Sequence, residues 1–184
     1  RRQASDVYKR QVLWEEKVEN KVESISMSST GELITVGLEG GAYPGQVLLY
    51  HRDSGKLWRQ VTGNAGVKDV KITPPGNFIV AGTRNNEVVI MHPKHKILWK
   101  HTFENWVENV GITPDARYIM ACENTGTVHY FEVSGLVEKY KGESIIEIRR
   151  PMAAVSSNYF QTYTPPTPQP SAPGTLSPQA RMAL

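Results

Sequence analysis

Apolar and polar positions along this chain come in short bursts, and the bursts recur. One triplet is Val22, Ile25 and Met27, with two residues in the first gap and one in the second. The same spacing returns at Val67, Val70 and Ile72, and again at Val107, Val110 and Ile112. A turn-like stretch follows each triplet (STGE, PPGN, PDAR), and then a nearly unbroken apolar run: LITVG at 33–37, FIVAG at 78–82, YIMAC at 118–122. Alternating segments come next, QVLLYH at 46–51, EVVIMH at 87–92 and TVHYFE at 127–132. Each copy closes on KLW at 56–58, ILW at 97–99 or a weaker LVEKY at 136–140. From Val22 to Val67 the spacing is 45 residues, and from Val67 to Val107 it is 40.

Self-similarity at this period marks an array of one supersecondary unit. Runs rich in Val, Ile, Leu, Tyr and Phe, separated by Gly, Pro, Asn and Asp, predict short strands joined by tight hairpins. Pro74, Pro75 and Pro114 fall in the turns, where a fixed φ helps and a missing N–H costs nothing. Four antiparallel strands per 40–45 residues make one propeller blade. The predicted fold is therefore all-β: a β-propeller fragment of about three four-stranded blades, near 22–60, 67–101 and 107–141. VLW at 12–14 predicts an orphan outer strand carrying Trp14.

The repeated pattern V-x-x-V-x-I, then S/T-P-x-G, an apolar run and a closing LW resembles the WD40/quinoprotein (PQQ-like) propeller superfamily over about residues 12–142. The Gly-His and Trp-Asp dipeptides of WD40 repeats are absent, so the quinoprotein-like side is the better match. The resemblance implies that the first strands lie innermost and that the second strands are buried between blades. Gly37, Gly82 and Cys122, at the ends of the second strands, would permit close approach of the next sheet. Trp58 and Trp99 would pack between adjacent blades, where loss of a buried Trp costs about 3–5 kcal/mol. Rings have about 4–8 blades, so three imply further blades, expected upstream in the same polypeptide.

Composition changes the picture at the two ends. Lys and Arg number 21 against 18 Asp and Glu, with a pI of about 9.0, which invites a nucleic-acid reading. Four of those bases and one acid lie in residues 1–11, leaving 17 of each sign elsewhere, so no basic footprint for a phosphate backbone remains. DVYKRQ at 6–11 is what a sequencing-library transposon end encodes in frame. Residues 1–11 are expected to be an adaptor scar on a fragment, as metagenomic sequences carry. ESIIEIRR at 143–150 reads as a final strand or the start of another blade. Residues 151–184, with seven prolines and one charge, read as a disordered Pro/Ser/Thr-rich tail or linker. No run of 18 apolar residues occurs, so no membrane-spanning helix is expected.

Candidate chemistry is sparse. Cys122 is the single cysteine, read as a small buried residue. HPKH, with His92 and His95, lacks an acid or thiol partner and reads as a surface turn. His51, His92 and His129 are read as sharing no register. GLEGGAYPG at 37–45 matches no phosphate loop and reads as a long hairpin loop, with Tyr43 a candidate contact. Polar residues around the inner strands (Glu19, Glu23, Asn64, Asp69, Asn105, Glu108, Asn109) and Trp106 would sit near a channel mouth. The superfamily's quinone enzymes use a carboxylate base, an acid- and amide-held calcium and adjacent cysteines, and none of these is locatable here. The expectation is a non-catalytic module without metal or cofactor, a platform for a protein partner or small ligand, cell-surface or periplasmic. The alternatives are a piece of a quinoprotein-like dehydrogenase and an intracellular WD40-like scaffold.

Overall fold

Each hydrophobic triplet forms the first strand of its own antiparallel sheet. The computed structural model describes residues 12–140. The first sheet runs β1 (Val22–Met27), β2 (Leu33–Leu38), β3 (Gly45–His51) and β4 (Gly55–Gly63), hydrogen-bonded in that order. The second runs β5 (Val67–Ile72), β6 (Ile79–Thr83), β7 (Glu87–His92) and β8 (Lys96–Thr102). The third holds β9 (Val107–Ile112), β10 (Tyr118–Glu123) and β11 (Val128–Glu132), followed by helix α1 (Ser134–Tyr140). These are consecutive blades of a partial all-β propeller. The expected strand at 143–150, the tail at 151–184 and the scar at 1–11 lie outside the described residues.

One turn device repeats three times. The hydroxyls of Ser28, Thr73 and Thr113 each accept the backbone N–H five residues on, from Leu33, Phe78 and Tyr118, all at 3.1 Å. The return bonds run from the N–H of the same three residues to the carbonyls of Leu33, Phe78 and Tyr118. The turn needs a left-handed residue, supplied by Gly31 (φ 67°), Gly76 (φ 85°) and, in the third copy, Ala116 (φ 60°). A hydroxyl at one end and a left-handed residue at the other therefore fix where strand one hands over to strand two.

Blades meet through their inner strands. β1 lies against β5, and β5 against β9. Val70 N–H donates to Ser24 Oγ at 3.3 Å and Ile72 N–H to Ser26 Oγ at 3.1 Å, so side chains of one inner strand receive donors of the next. Val67 and Val107 each drive into the space above a glycine of the preceding blade. A Cβ built on Gly37 would lie 2.7 Å from Val67 Cγ1, and one on Gly82 would lie 2.7 Å from Val107 Cγ1. Apolar carbons rest at about 3.5–4.0 Å, so only glycine allows this approach. Two cores result, one between blades 1 and 2 (Val47, Leu49, Val70, Ile79, Met91) and one between blades 2 and 3 (Phe78, Ile90, Val107, Ile119).

Three expectations are corrected. The fourth strand expected at 136–140 is helix α1 instead. Leu136, Val137 and Tyr140 fall on one side of a helical turn and pack on the core between blades 2 and 3, where Val137 is buried. The orphan segment at 12–14 forms no strand ladder, because no neighbouring strand lies beside it among the described residues. Trp14 nevertheless takes an outer-strand position: it donates Nε1–H to Arg52 O at 2.7 Å, as Trp58 donates to Pro93 O at 2.6 Å in the next blade. Trp14 also stacks on Tyr50 at 5.2 Å, as Trp99 meets the corresponding Phe131 at 5.7 Å. Finally, β6 is buried on both faces, but β10 is covered on one face only.

Candidate contact surface

At one end of the sheets the second strands finish and the inner strands begin. The loops at 39–44, 64–66, 84–86, 103–106 and 124–127 gather there. The long glycine-rich loop is packed, not slack. A side chain on Gly40 would collide with Asn64 O, and one on Gly45 with the backbone of Gly66. Gly40 and Gly45 therefore serve backbone-to-backbone contact with the 64–66 loop, tied further by the Glu39–Gly66 bridge. Asn20 Nδ2 donates to Tyr43 O at 3.1 Å and Pro44 O at 3.3 Å, which fixes the loop with the Tyr43 side chain exposed.

Trp106 is the second exposed aromatic at this end. Its carbonyl accepts from Asn124 N–H at 3.1 Å, and the Arg84 guanidinium lies 5.6 Å above its ring. Arg84 Nη1 donates to Glu39 Oε1 at 2.8 Å, and Lys21 Nζ lies 3.9 Å from the other Glu39 oxygen. Lys21 also pairs with Glu23 at 2.8 Å. That hydrogen bond holds the Glu23 carboxyl below its ordinary range and raises Lys21 above its own. Lys68 bridges neighbouring blades, 3.2 Å from Glu108 and 4.0 Å from Glu23. Trp106 thus stands at one end of a chain of charge contacts that runs through Arg84 and Glu39 to Lys21, while Tyr43 is exposed on the neighbouring loop. None of Arg84, Glu39, Lys21 or Lys68 is marked by the repeat; the lone signal for Arg84 and Glu39 was charge in otherwise Asn- and Gly-rich turns, and Lys68 lies within β5.

Other singled-out residues are used internally. Asp69 is buried, not a solvated mouth residue. Its Oδ1 accepts from Ser24 Oγ (2.7 Å), Val70 N–H (2.9 Å) and Lys71 Nζ (2.7 Å), and its Oδ2 from Val110 N–H at 3.1 Å. One carboxylate thereby ties the inner strands of all three blades. Glu123 accepts from Asn105 N–H (3.0 Å) and Nδ2 (2.9 Å), and its other oxygen lies 2.6 Å from His129 Nε2. The His129 bond first, and Asn105 second, lower its carboxyl below the ordinary value. His51 and His92 do share a register, contrary to expectation. Both are buried, and each accepts the backbone N–H two residues on at Nδ1, from Asp53 (3.2 Å) and Lys94 (3.1 Å). His92 is therefore a turn-forming core residue, while His95 is exposed. Cys122 is only half-buried.

Among the described residues, no three His, Cys, Asp or Glu side chains gather closely enough to hold a metal ion, and no helix is long and apolar enough to cross a membrane. A groove of about 370 Å³ opens between β4 and the β7–β8 hairpin, with Val61, Val89 and Ile97 on its walls. Compared with models of known protein families and with curated proteins, the chain matches none.

Proposed function

We propose that this chain is a non-catalytic repeat module of the WD40/quinoprotein type, a rigid platform that binds a protein partner through the loop end carrying Tyr43 and Trp106. The observation that carries this is the pair of exposed aromatics at one loop end, each on a loop held by hydrogen bonds to its backbone, with the Arg84–Glu39 ion pair beside Trp106. Trp, Tyr and Arg supply most binding energy at protein interfaces. The Trp106 ring, already held against the Arg84 guanidinium, loses little rotamer entropy on contact. The mixed charge around them, from Lys21, Glu23, Lys68 and Glu108, suits a partner of polar character and no large net charge. Further blades complete the arc on its open faces.

Selection from a random peptide library on the whole chain tests the proposal. Peptides that bind should lose about tenfold or more in affinity on Trp106→Ala and on Tyr43→Ala, about 1.4 kcal/mol each. Val61→Ser, in the lateral groove, should leave them unchanged. Selected peptides that bind both loop variants as tightly as the parent would overturn the assignment.

A further inference from the structure

The two seams between blades use the same positions and fill them differently. Trp58 and Trp99 hold one register, opposite Leu49 and Ile90. Two and four residues on, Gln60 and Thr62 therefore correspond to His101 and Phe103. Across the seam, Val89 opposite Ala81 corresponds to His129 opposite Ala121, and Met91 to Phe131. Between blades 2 and 3 these positions are packed rings. Phe103 lies 4.5 Å from His129 and 4.8 Å from His101, and His101 lies 5.2 Å from Phe131, centroid to centroid. Between blades 1 and 2 the same positions hold Gln60, Thr62, Val89 and Met91, none of them aromatic. The space the rings would take is the groove of about 370 Å³, walled by Val61, Thr62, Val89 and Ile97.

Two features of the groove go beyond missing bulk. Val61 and Ile97 are 47% and 42% exposed at its sides, so apolar surface stands uncovered in water. Thr62 is only 6% exposed, and its hydroxyl has no hydrogen-bond partner among the described residues. A buried hydroxyl without a partner costs free energy that a bound donor or acceptor would recover. At the rim, Lys100 and Glu87 pair at 2.7 Å, so the groove offers an occupant no net charge.

We infer that this groove binds a small, neutral, two-ring aromatic molecule with one hydrogen-bond donor, of the indole type. An apolar cavity of about 150 Å³ holds a single benzene ring, so a space of about 370 Å³ takes two fused rings. The molecule lies against Val89 and Ile97, where Phe103 and His129 lie in the next seam. Its N–H donates to Thr62 Oγ1. That oxygen is shielded from water as it stands, so binding turns Thr62 about χ1 by one staggered step. The inference rests on how the seams are filled, so the loop-end variants above do not test it.

Methyl NMR of the whole chain, labelled at Val and Ile and titrated with indole, decides the matter. The Val89 and Ile97 methyl signals should shift together and saturate with a Kd of about 1 mM or tighter. Thr62→Phe, which copies Phe103, should abolish the shifts with β-type circular dichroism retained. Thr62→Val keeps the shape and removes the hydroxyl. It should weaken indole by about fivefold and leave N-methylindole, which has no N–H, unchanged. Shifts that stay linear in indole, shifts that miss Val89 and Ile97, a folded Thr62→Phe chain that still binds, or equal losses of both ligands on Thr62→Val would each overturn the inference. So would tighter binding of a blocked Gly-Trp-Gly peptide than of indole, which would assign the groove to a partner protein's side chain.

Discussion

Gly82 is the position where a single methyl group tests the blade packing. A Cβ there would lie 2.7 Å from Val107 Cγ1, 3.0 Å from Val110 Cγ1 and 3.2 Å from Val107 Cβ, in a fully enclosed site. Overpacking of this kind costs about 1–3 kcal/mol. Replacing glycine by alanine in a strand returns about 0.5–1 kcal/mol of backbone entropy. Gly82→Ala should therefore destabilise by about 1–2 kcal/mol. Val107→Ala alone removes two methyl groups at about 0.8 kcal/mol each and leaves a cavity, for a cost of about 2–3 kcal/mol. In the double variant the new methyl occupies the space Val107 vacates. The 2.7 Å collision disappears and part of the cavity is filled, while the closer-than-usual contacts with Val110 Cγ1 and the residue 107 Cβ remain, so the double should cost clearly less than the sum of the two singles. Urea unfolding gives all three values, with the linear slope checked for constancy. Gly41→Ala, where an added Cβ meets nothing within 4 Å, should stay within about 0.5 kcal/mol of the parent. A neutral Gly82→Ala, or a double equal to the sum of the singles within about 0.5 kcal/mol, would refute the packing argument.

Asp69→Asn replaces one of two acceptor oxygens with a donor, facing a carboxylate's worth of N–H and O–H groups from three blades. It should cost about 1–3 kcal/mol, seen as a lower urea midpoint at unchanged slope; an unchanged midpoint would remove Asp69 as the tie between inner strands. Trp58→Phe deletes the Nε1–H bond to Pro93 O and should cost about 1 kcal/mol, whereas Trp58→Ala also empties the space between blades and should cost about 3 kcal/mol. Equal thermal midpoints for the two would show that the indole ring's packing contributes nothing. The Glu123 carboxyl titrates below its ordinary 4.5, held there chiefly by His129. A group depressed in the folded state adds stability that is fully present above its unfolded value and is lost as pH falls through the folded one. The thermal midpoint should therefore drop from about pH 4.5 downward, and His129→Gln should flatten that drop; identical acid limbs for parent and variant would contradict the pairing.

Much of this architecture was legible because it is written three times. A single V-x-x-V-x-I could be strand or helix. Three copies in step with a Ser or Thr hydroxyl and a left-handed turn residue leave one solution, since the hydroxyl-to-backbone bond at Ser28, Thr73 and Thr113 is local. The candidate surface was less legible. Tyr43 and Trp106 stand out as exposed aromatics in loops, but Arg84 and Glu39 carry no periodic signal, and their pairing joins residues 45 apart in sequence. His51 and His92 do hold one register in the alternating segments, yet only the fold shows both buried as turn acceptors. Asp69 looked like any charged strand residue, and burial alone made it a tie.

By itself, then, the sequence determined whatever depends on neighbours a few residues apart: strand period, hairpin turns, the glycine seats and the number of repeats. The tertiary structure decided what depends on who lies across the gap. It matched Val67 to Gly37 and Val107 to Gly82. It placed Trp14 at an outer-strand position without a ladder to join, because ladder bonds need a partner strand and indole packing needs only a face. It turned 134–140 into a helix, since the same apolar residues that would alternate along a strand meet a core on one side of a helical turn. Local bonds are encoded by adjacency, and burial by the fold, which is why the repeat was visible early and the unequal filling of its seams only at the end.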